Sequence, residues 1–384
     1  MRLLFLKHSL YAPRTRGHDV HTFEMLRALE ALGHETHLFT VEPPSAAALD
    51  GLSARTVVAH ETAGEAAAPP LGRLQERFRS YWGIDRSAID AFSRVVLALS
   101  PDAVVAAGLD VLPYLAAVEG PVRAWYAADD LAWQHLTQLR LGAPATWWNV
   151  RAAAVGALYE RTFASAVDRT WVVSDMDATA IRWLGGARHV AVIPNGVDTA
   201  HFRPRDDPER PDSAIFWGHL GFPPNVRAIE WLCTNVWPLV RQRKPAAVLT
   251  IAGYGAGPEV LRFSGRDGVD VVGPLPDLRP AIAGHAVAVM PFLSGSGLKN
   301  KMLEAAAMGR ATVCSRAALN GLRGEAGAAF VLCRRPEEWA DTLVALWGAP
   351  ERRAQLAGRA RAWVEANHTW QRAAREAEVS LRRA

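Results

Sequence analysis

Lysine is almost absent from this chain. Among 384 residues there are 39 arginines but only four lysines, Lys7, Lys244, Lys299 and Lys301. A preference for arginine codons accounts for the imbalance, and against that background the pair Lys299 and Lys301 stands out. Cysteine is scarce as well. Cys233, Cys314 and Cys333 are odd in number and widely spaced, which excludes a disulfide framework and makes a reducing, cytoplasmic compartment the expectation. No run of about 18 apolar residues lacks a charge or a helix breaker, so no transmembrane span is expected. The apolar opening MRLLFL stops at Lys7 and His8, too soon for the core of a secretory signal, and reads as a buried first strand. Nor is one sign of charge in large excess. The net charge is +4, the pI is near 9.1, and basic and acidic residues are interspersed, so no nucleic-acid partner is expected.

What the chain does have is apolar residues in a regular pattern. Half of it is hydrophobic, enough at this length for roughly two ordinary domains. Residues 2–6 read as a strand, 20–32 as a helix with Phe23, Leu26, Leu29 and Leu32 on one face and Gly33 as its stop, and 36–41 as the next strand. Strand, crossover helix and strand make a βαβ unit and hence a parallel sheet. Further strands are expected at 103–106, 122–126, 170–173 and 190–193, with helices at 86–99, 148–166 and 175–184; residues 43–72, rich in Ala, Pro and Gly, read as irregular. The segment 194–213 holds four prolines and many charges and reads as an interdomain linker. Beyond it the pattern restarts, with strands at 214–217, 247–252, 269–272, 286–290, 311–314 and 329–332. Residues 351–383 read as a charged helix or helix pair. Two parallel α/β domains imply ligands at the carboxyl ends of their strands.

One of those ends carries a recognisable chemistry. Strand 286–290 is followed by Pro291-Phe292 and then by LSGSGLKNKMLEAAAMGRATV. Gly295 and Gly297 free the backbone for a tight turn that admits a bulky anion. A helix expected from Leu298 to Ala307 presents free amides and a positive dipole end to it. Lys299 and Lys301 add cationic charge, and Glu304, further along the helix, is placed to accept hydrogen bonds from a ribose diol. The plain alternative is an ordinary loop-to-helix junction with solvated lysines.

This turn and the helix after it resemble the donor-site motif of retaining glycosyltransferases of family 4 type, which have the GT-B fold. Other segments agree in order: Asp168-Arg169-Thr170-Trp171-Val172-Val173-Ser174-Asp175; Ile193-Pro194-Asn195-Gly196-Val197-Asp198 with Phe202 and Pro204; Ile251-Ala252-Gly253-Tyr254-Gly255; Val272-Gly273; and Trp370 in the tail. The resemblance implies two doubly wound, Rossmann-like domains with a cleft between them, over 1–205 for the acceptor and 206–365 for a nucleotide sugar, with a C-terminal helix, 366–384, packing back on the first. It implies a donor site at Gly218, Gly273, Gly295, Ser296, Gly297, Leu298, Lys299, Lys301 and Glu304, and retention at the anomeric carbon. No metal and no cofactor are expected, because this fold class stabilises its leaving group with a helix dipole and basic side chains.

Two departures from the family pattern bear on the site. The family commonly pairs two glutamates across this turn. Glu304 matches the second, and Ser296 stands at the first, which normally contacts the donor sugar. The second domain of the family often opens with Gly-Arg-Leu and a lysine that clamp the diphosphate. Here Gly218-His219-Leu220 places His219 at the arginine and no lysine follows. Lys299, Lys301 and Arg227 are the candidates to supply the charge, with Lys299 preferred for its place at the mouth of the anion site.

In the first domain Gly17 and His18 lie in the loop after the first strand, where the resemblance implies an approach to the donor phosphate or the acceptor. Asp129 and Asp130 follow strand 122–126; either one orients the acceptor hydroxyl, or Asp130 caps a helix that begins LAWQHL. His34-Glu35-Thr36-His37 lacks the spacing of a zinc helix. Two basic–aromatic stretches, Arg73, Arg77, Arg79, Tyr81 and Trp82, then Trp147, Trp148 and Arg151, suit either a membrane surface with a lipid-linked acceptor or core tryptophans with snorkelling arginines. The second reading is preferred. The expectation is thus a nucleotide-sugar-dependent transferase acting on an acceptor hydroxyl, with Lys299, Asp129 and His219 as catalytic candidates, in polysaccharide, glycolipid or natural-product synthesis. A catalytically degenerate binding protein of the same fold and a sugar-nucleotide epimerase are the alternatives.

Overall fold

The computed structural model describes residues 1–12, 17–53, 55–58, 68–127, 136, 145–294 and 297–383. It divides into two compact units, Met1–Pro194 with Trp370–Ala384, and Asn195–Thr369. The breaks fall after Pro194 and after Thr369, eleven residues before and four after the expected 205 and 365. The reason is local. Asn195 Nδ2 donates to Asn300 Oδ1 at 2.9 Å, Arg361 donates to the carbonyls of Thr199 and Phe202, and Val197 bridges Thr369. These contacts tie the first part of the proline-rich segment to the second unit.

The first unit is built on seven strands, β1 (Arg2–Lys7), β2 (Glu35–Thr40), β3 (Arg55–Val58), β4 (Ala103–Ala107), β5 (Val122–Tyr126), β6 (Arg169–Val172) and β7 (Val190–Val192), in the order β3-β2-β1-β4-β5-β6-β7. Every pairing is parallel. The central strands β1 and β4 are apolar on both faces because helices cover both. Residues 43–72, read as irregular, contain the short helix Ala46–Leu49 and the edge strand β3, which pairs His37 with Arg55. Four residues are too few to show an alternation. The terminal helix Trp370–Arg382 lies on the helix Gly17–Ala31 and on β6. Trp171 Nε1 donates to Ser380 Oγ at 3.1 Å, and the His21 ring stacks on Tyr126 at 3.6 Å and meets Trp370 edge-on at 5.4 Å.

The second unit repeats the winding with β8 (Arg210–His219), β9 (Val248–Tyr254), β10 (Val269–Val272), β11 (His285–Met290), β12 (Thr312–Cys314) and β13 (Val331–Leu332), ordered β10-β9-β8-β11-β12-β13. The strand expected at 329–332 is shorter, because Ala326–Ala329 turn as a helix before β13 begins. Two doubly wound parallel sheets are the fold class expected from the sequence. In each sheet the strand order reverses beside the first strand, between β1 and β4 and between β8 and β11. Ligands of open parallel sheets bind outside the carboxyl ends at such a point. Among the described residues no helix is long and apolar enough to cross a membrane.

Candidate active site

At the reversal point of the second sheet, β8 ends in Gly218-His219 and β11 runs into the turn that precedes the helix Asn300–Ala307. The register aligns Gly218 with Gly253, and Val272 with Ala252, so Gly273 follows beside Gly253. Gly218 has φ +131° and Gly273 φ +125°. A Cβ on Gly273 would fall on the Gly253 carbonyl, and one on Gly253 would fall on the Gly218 carbonyl. Side chains are thus excluded from a row of three strand ends, and their backbones form a close-packed shelf.

Lys301 lies across that shelf. A Cβ on Gly218 would overlap its Cε and Nζ. Its ammonium sits 5.9 Å from the ring centroids of both Phe216 and Phe292, within cation–π range. Burial holds its pKa below the usual lysine value, and Glu304 partly restores it. Glu304 is one turn further along the same helix face. One of its oxygens accepts from Trp217 Nε1 at 2.7 Å. Burial raises its pKa, against the pull of the Trp217 hydrogen bond and the Lys301 charge. Both side chains keep part of their surface open and are enclosed elsewhere. The recess is therefore poor in water yet holds one cation and one anion, which strengthens their fields on any ligand.

The helix starts later than the sequence implied. Gly297 is left-handed at φ +68°, and Lys299 is extended at φ −95°, ψ 101°, as the N-cap. Neither conformation continues a helix, so the unpaired first-turn amides belong to Asn300 and Lys301 rather than to Gly297 and Leu298. Leu298 lies under Gly321, where an added Cβ would approach it at 3.1 Å. Lys299 Nζ folds back to donate to the Gly297 carbonyl at 2.8 Å and lies 6.0 Å from the Phe292 ring. The lysine that reaches the strand ends is Lys301.

His219 is exposed and stacks on Tyr254, with ring centroids 4.7 Å apart and planes 8° from parallel. Its carbonyl accepts from the buried Asn225 Nδ2 at 2.7 Å, and Gly255 leaves room for its ring. Arg227 donates to Ser294 Oγ at 3.2 Å, tying the helix Pro223–Trp231 to the turn. Gly295 and Ser296 lie outside the described residues, as do Asp129 and Asp130. Gly17 and His18 are the first two residues of the helix Gly17–Ala31.

Two features escaped the sequence. His368 is buried; its Nε2 accepts from the Arg323 amide at 3.0 Å, so its Nδ1 carries the proton and donates to the Asn195 carbonyl at 3.1 Å. Asn195 in turn holds Asn300, the first residue of the site helix. In the first unit Lys7, at the carboxyl end of β1, pairs with Asp19 at 3.3 Å, both nearly fully buried. The scarcity of lysine was the available signal for Lys7. Nothing local marks His368, whose partners lie 45 and 173 residues away.

Comparisons with known proteins bear on this geometry. A model of the family described as Glycosyltransferase Family 4 matches residues 15–201, and one described as Glycosyl transferases group 1 matches residues 211–348. A sequence comparison with curated proteins finds no match. Among solved structures the chain is similar to sucrose-phosphate synthase from Thermosynechococcus elongatus, with TM-score 0.72, 16% identity, and coverage of 100% of this chain and 98% of that one. It is similar to TarM, at 0.74 and 9% over 99% and 98%. It is also similar to Anabaena HepE in complex with UDP, at 0.70 and 13% over the whole of both chains. At such identities the likeness to these structures is one of fold. The two family models together take in most of both sheets, β1 excepted, and the helix Asn300–Ala307, and by them the chain is a glycosyltransferase of the group 1, family 4 type.

Proposed function

We propose that this glycosyltransferase takes its sugar from a nucleoside diphosphate donor held at the carboxyl edge of the second sheet, and transfers it with retention to an acceptor hydroxyl. The observation that carries the reading is the pair Lys301 and Glu304, enclosed one turn apart beside the glycine shelf at the reversal point between β8 and β11. The shelf lets a diphosphate approach backbone. Lys301 and the amides of Asn300 and Lys301 meet its charge, and the free oxygen of Glu304 accepts from the ribose hydroxyls. Lys299 and His219 stand at the rim. HepE, of the same fold, was solved with UDP, and also with UDP-glucose, which makes uridine diphosphate sugars the first donors to test.

In the transfer the acceptor oxygen bonds to the anomeric carbon as the bond from that carbon to the diphosphate oxygen breaks. The electron pair leaves with the diphosphate, and the acceptor proton passes to a leaving-group oxygen. Charge therefore develops where Lys301 and the helix amides lie, and preorganised stabilisation of that charge is the catalytic lever. This chemistry asks for neither metal nor cofactor. With Ser296 at the place of the family's first glutamate, the sugar is held by other groups.

Thermal shift of the full chain against UDP-, GDP-, ADP- and dTDP-sugars tests the donor. One of them raises the melting temperature in the wild type and not in Lys301→Ala. No shift with any of them overturns the reading, and binding without hydrolysis or transfer reduces the site to a sensor. The anomeric configuration of the product, read by NMR, decides retention.

A further inference from the structure

The tryptophans of this chain are distributed unevenly over its surface. Among the described residues, those exposed to solvent are Trp82, Trp147, Trp148 and Trp183, and all four belong to the first unit. Trp147 is 76% exposed and Trp148 62%, so the preference for core tryptophans drawn from the sequence is corrected here. They open the helix Ala145–Phe163, whose outward stripe continues through Arg151, Leu158 and Arg161. The helix Arg73–Tyr81 packs alongside, through Phe78 and Trp82 on Tyr159 at 5.5 and 5.7 Å. Arg161 donates to the carbonyls of Trp183 and Leu184, which brings the end of the helix Asp175–Trp183 to the same face.

Charge on this face is mostly positive; Asp85, exposed just after Trp82 and close to Arg79, is an acidic exception. The only acidic residue of the helix Ala145–Phe163 is Glu160, which is buried. The only one on Arg73–Tyr81 is Glu76, bound to Arg79 at 2.6 Å. Arg73, Arg77, Arg151, Arg161 and Arg182 are exposed, and the Arg151 guanidinium lies 5.6 Å from the Trp148 ring centroid. Asp175 stands at the far end of its helix from Trp183, about 12 Å away by helical rise. Indole rings set among guanidinium groups match the boundary of a bilayer, where the ring sits among the headgroups and the cation meets lipid phosphate.

We propose that this face of the first unit docks on the surface of a bilayer containing anionic phospholipid, with Trp147 and Trp148 entering the headgroup layer and Arg77 and Arg151 pairing with phosphates. The attachment is peripheral. It is independent of the donor site, so it stands or falls separately from the proposed reaction.

The test is sedimentation of the full-length protein with phosphatidylcholine–phosphatidylglycerol vesicles and with pure phosphatidylcholine vesicles. The wild type is expected to pellet with the anionic vesicles and to be released by salt. Trp147→Ser with Trp148→Ser, and separately Arg77→Glu with Arg151→Glu, are expected to lower the apparent affinity by about tenfold or more. Both pairs are exposed, so melting temperatures near that of the wild type show that the variants are folded. A wild type that stays in the supernatant overturns the proposal, and so does a tryptophan variant that pellets as well as the wild type. If light scattering instead finds a dimer that the tryptophan variant dissolves, with no vesicle binding, the face joins two copies and the proposal is wrong.

Discussion

The indole N–H of Trp217, at the end of β8, donates to Glu304 at 2.7 Å, joining the central strand of the second sheet to the helix that carries both polar groups of the site. Burial holds the Glu304 carboxyl above its ordinary value of 4.5, and this hydrogen bond opposes the rise. The folded state therefore binds the Glu304 proton more tightly than the unfolded chain. Stability from this group is fully present below pH 4.5 and is lost as pH rises through the folded value. Glu304→Gln is expected to flatten that part of the stability–pH curve. Trp217→Phe is expected to extend it to higher pH and to cost about 1.5–3 kcal/mol at neutral pH. Thermal melts over a pH series check both.

Lys301 and Lys299 are expected to separate in function. Lys301→Ala weakens nucleoside diphosphate binding by about 1.5–3 kcal/mol, the range of a charge-assisted hydrogen bond, and Lys299→Ala weakens it less. Lys301→Arg fails to restore binding, because a planar guanidinium has no room across Gly218. Gly218→Ala displaces the lysine and behaves like Lys301→Ala, with an added backbone cost of about 1–2 kcal/mol from the left-handed conformation. Titration calorimetry with UDP, or with the nucleotide found in the donor screen, measures all four.

The chain of contacts from Arg323 through His368 and Asn195 to Asn300 positions the start of the site helix from outside the site. His368→Ala leaves the Arg323 amide and the Asn195 carbonyl without their partner and is expected to cost about 1–3 kcal/mol for each group left buried. Asn195→Ala removes the neutral bond to Asn300 and costs about 1 kcal/mol or more. Both raise KM for the donor more than they lower kcat, since neither side chain touches the reacting atoms. Melts and steady-state kinetics of the two variants test this.

The terminal helix is part of the first unit. Trp370, Ala373, Ala374, Ala377 and Leu381 are buried along it. A chain truncated after Thr369 exposes the helix Gly17–Ala31 and is expected to be insoluble on expression. Trp171→Phe, which loses the bond to Ser380 and leaves a small cavity where the indole lay, stays soluble at a cost of about 2–3 kcal/mol. Solubility and melting temperature distinguish the two.

The sequence alone determined the two parallel α/β units, because buried parallel strands are continuous apolar runs and crossover helices repeat at a fixed period. It also put Lys301 and Glu304 on one helix, because that spacing is carried within a few consecutive residues. Three things were decided only by tertiary structure. Which lysine reaches the strand ends depended on the left-handed Gly297 and the extended Lys299, which delay the helix by two residues and point Lys301 at Gly218. The link from His368 to Asn195 joins residues remote in the chain, and no local pattern records it. The tryptophans at 147 and 148 read from the sequence as core, and the structure exposes them, since a helix shows which residues share a face but not whether another element will cover that face.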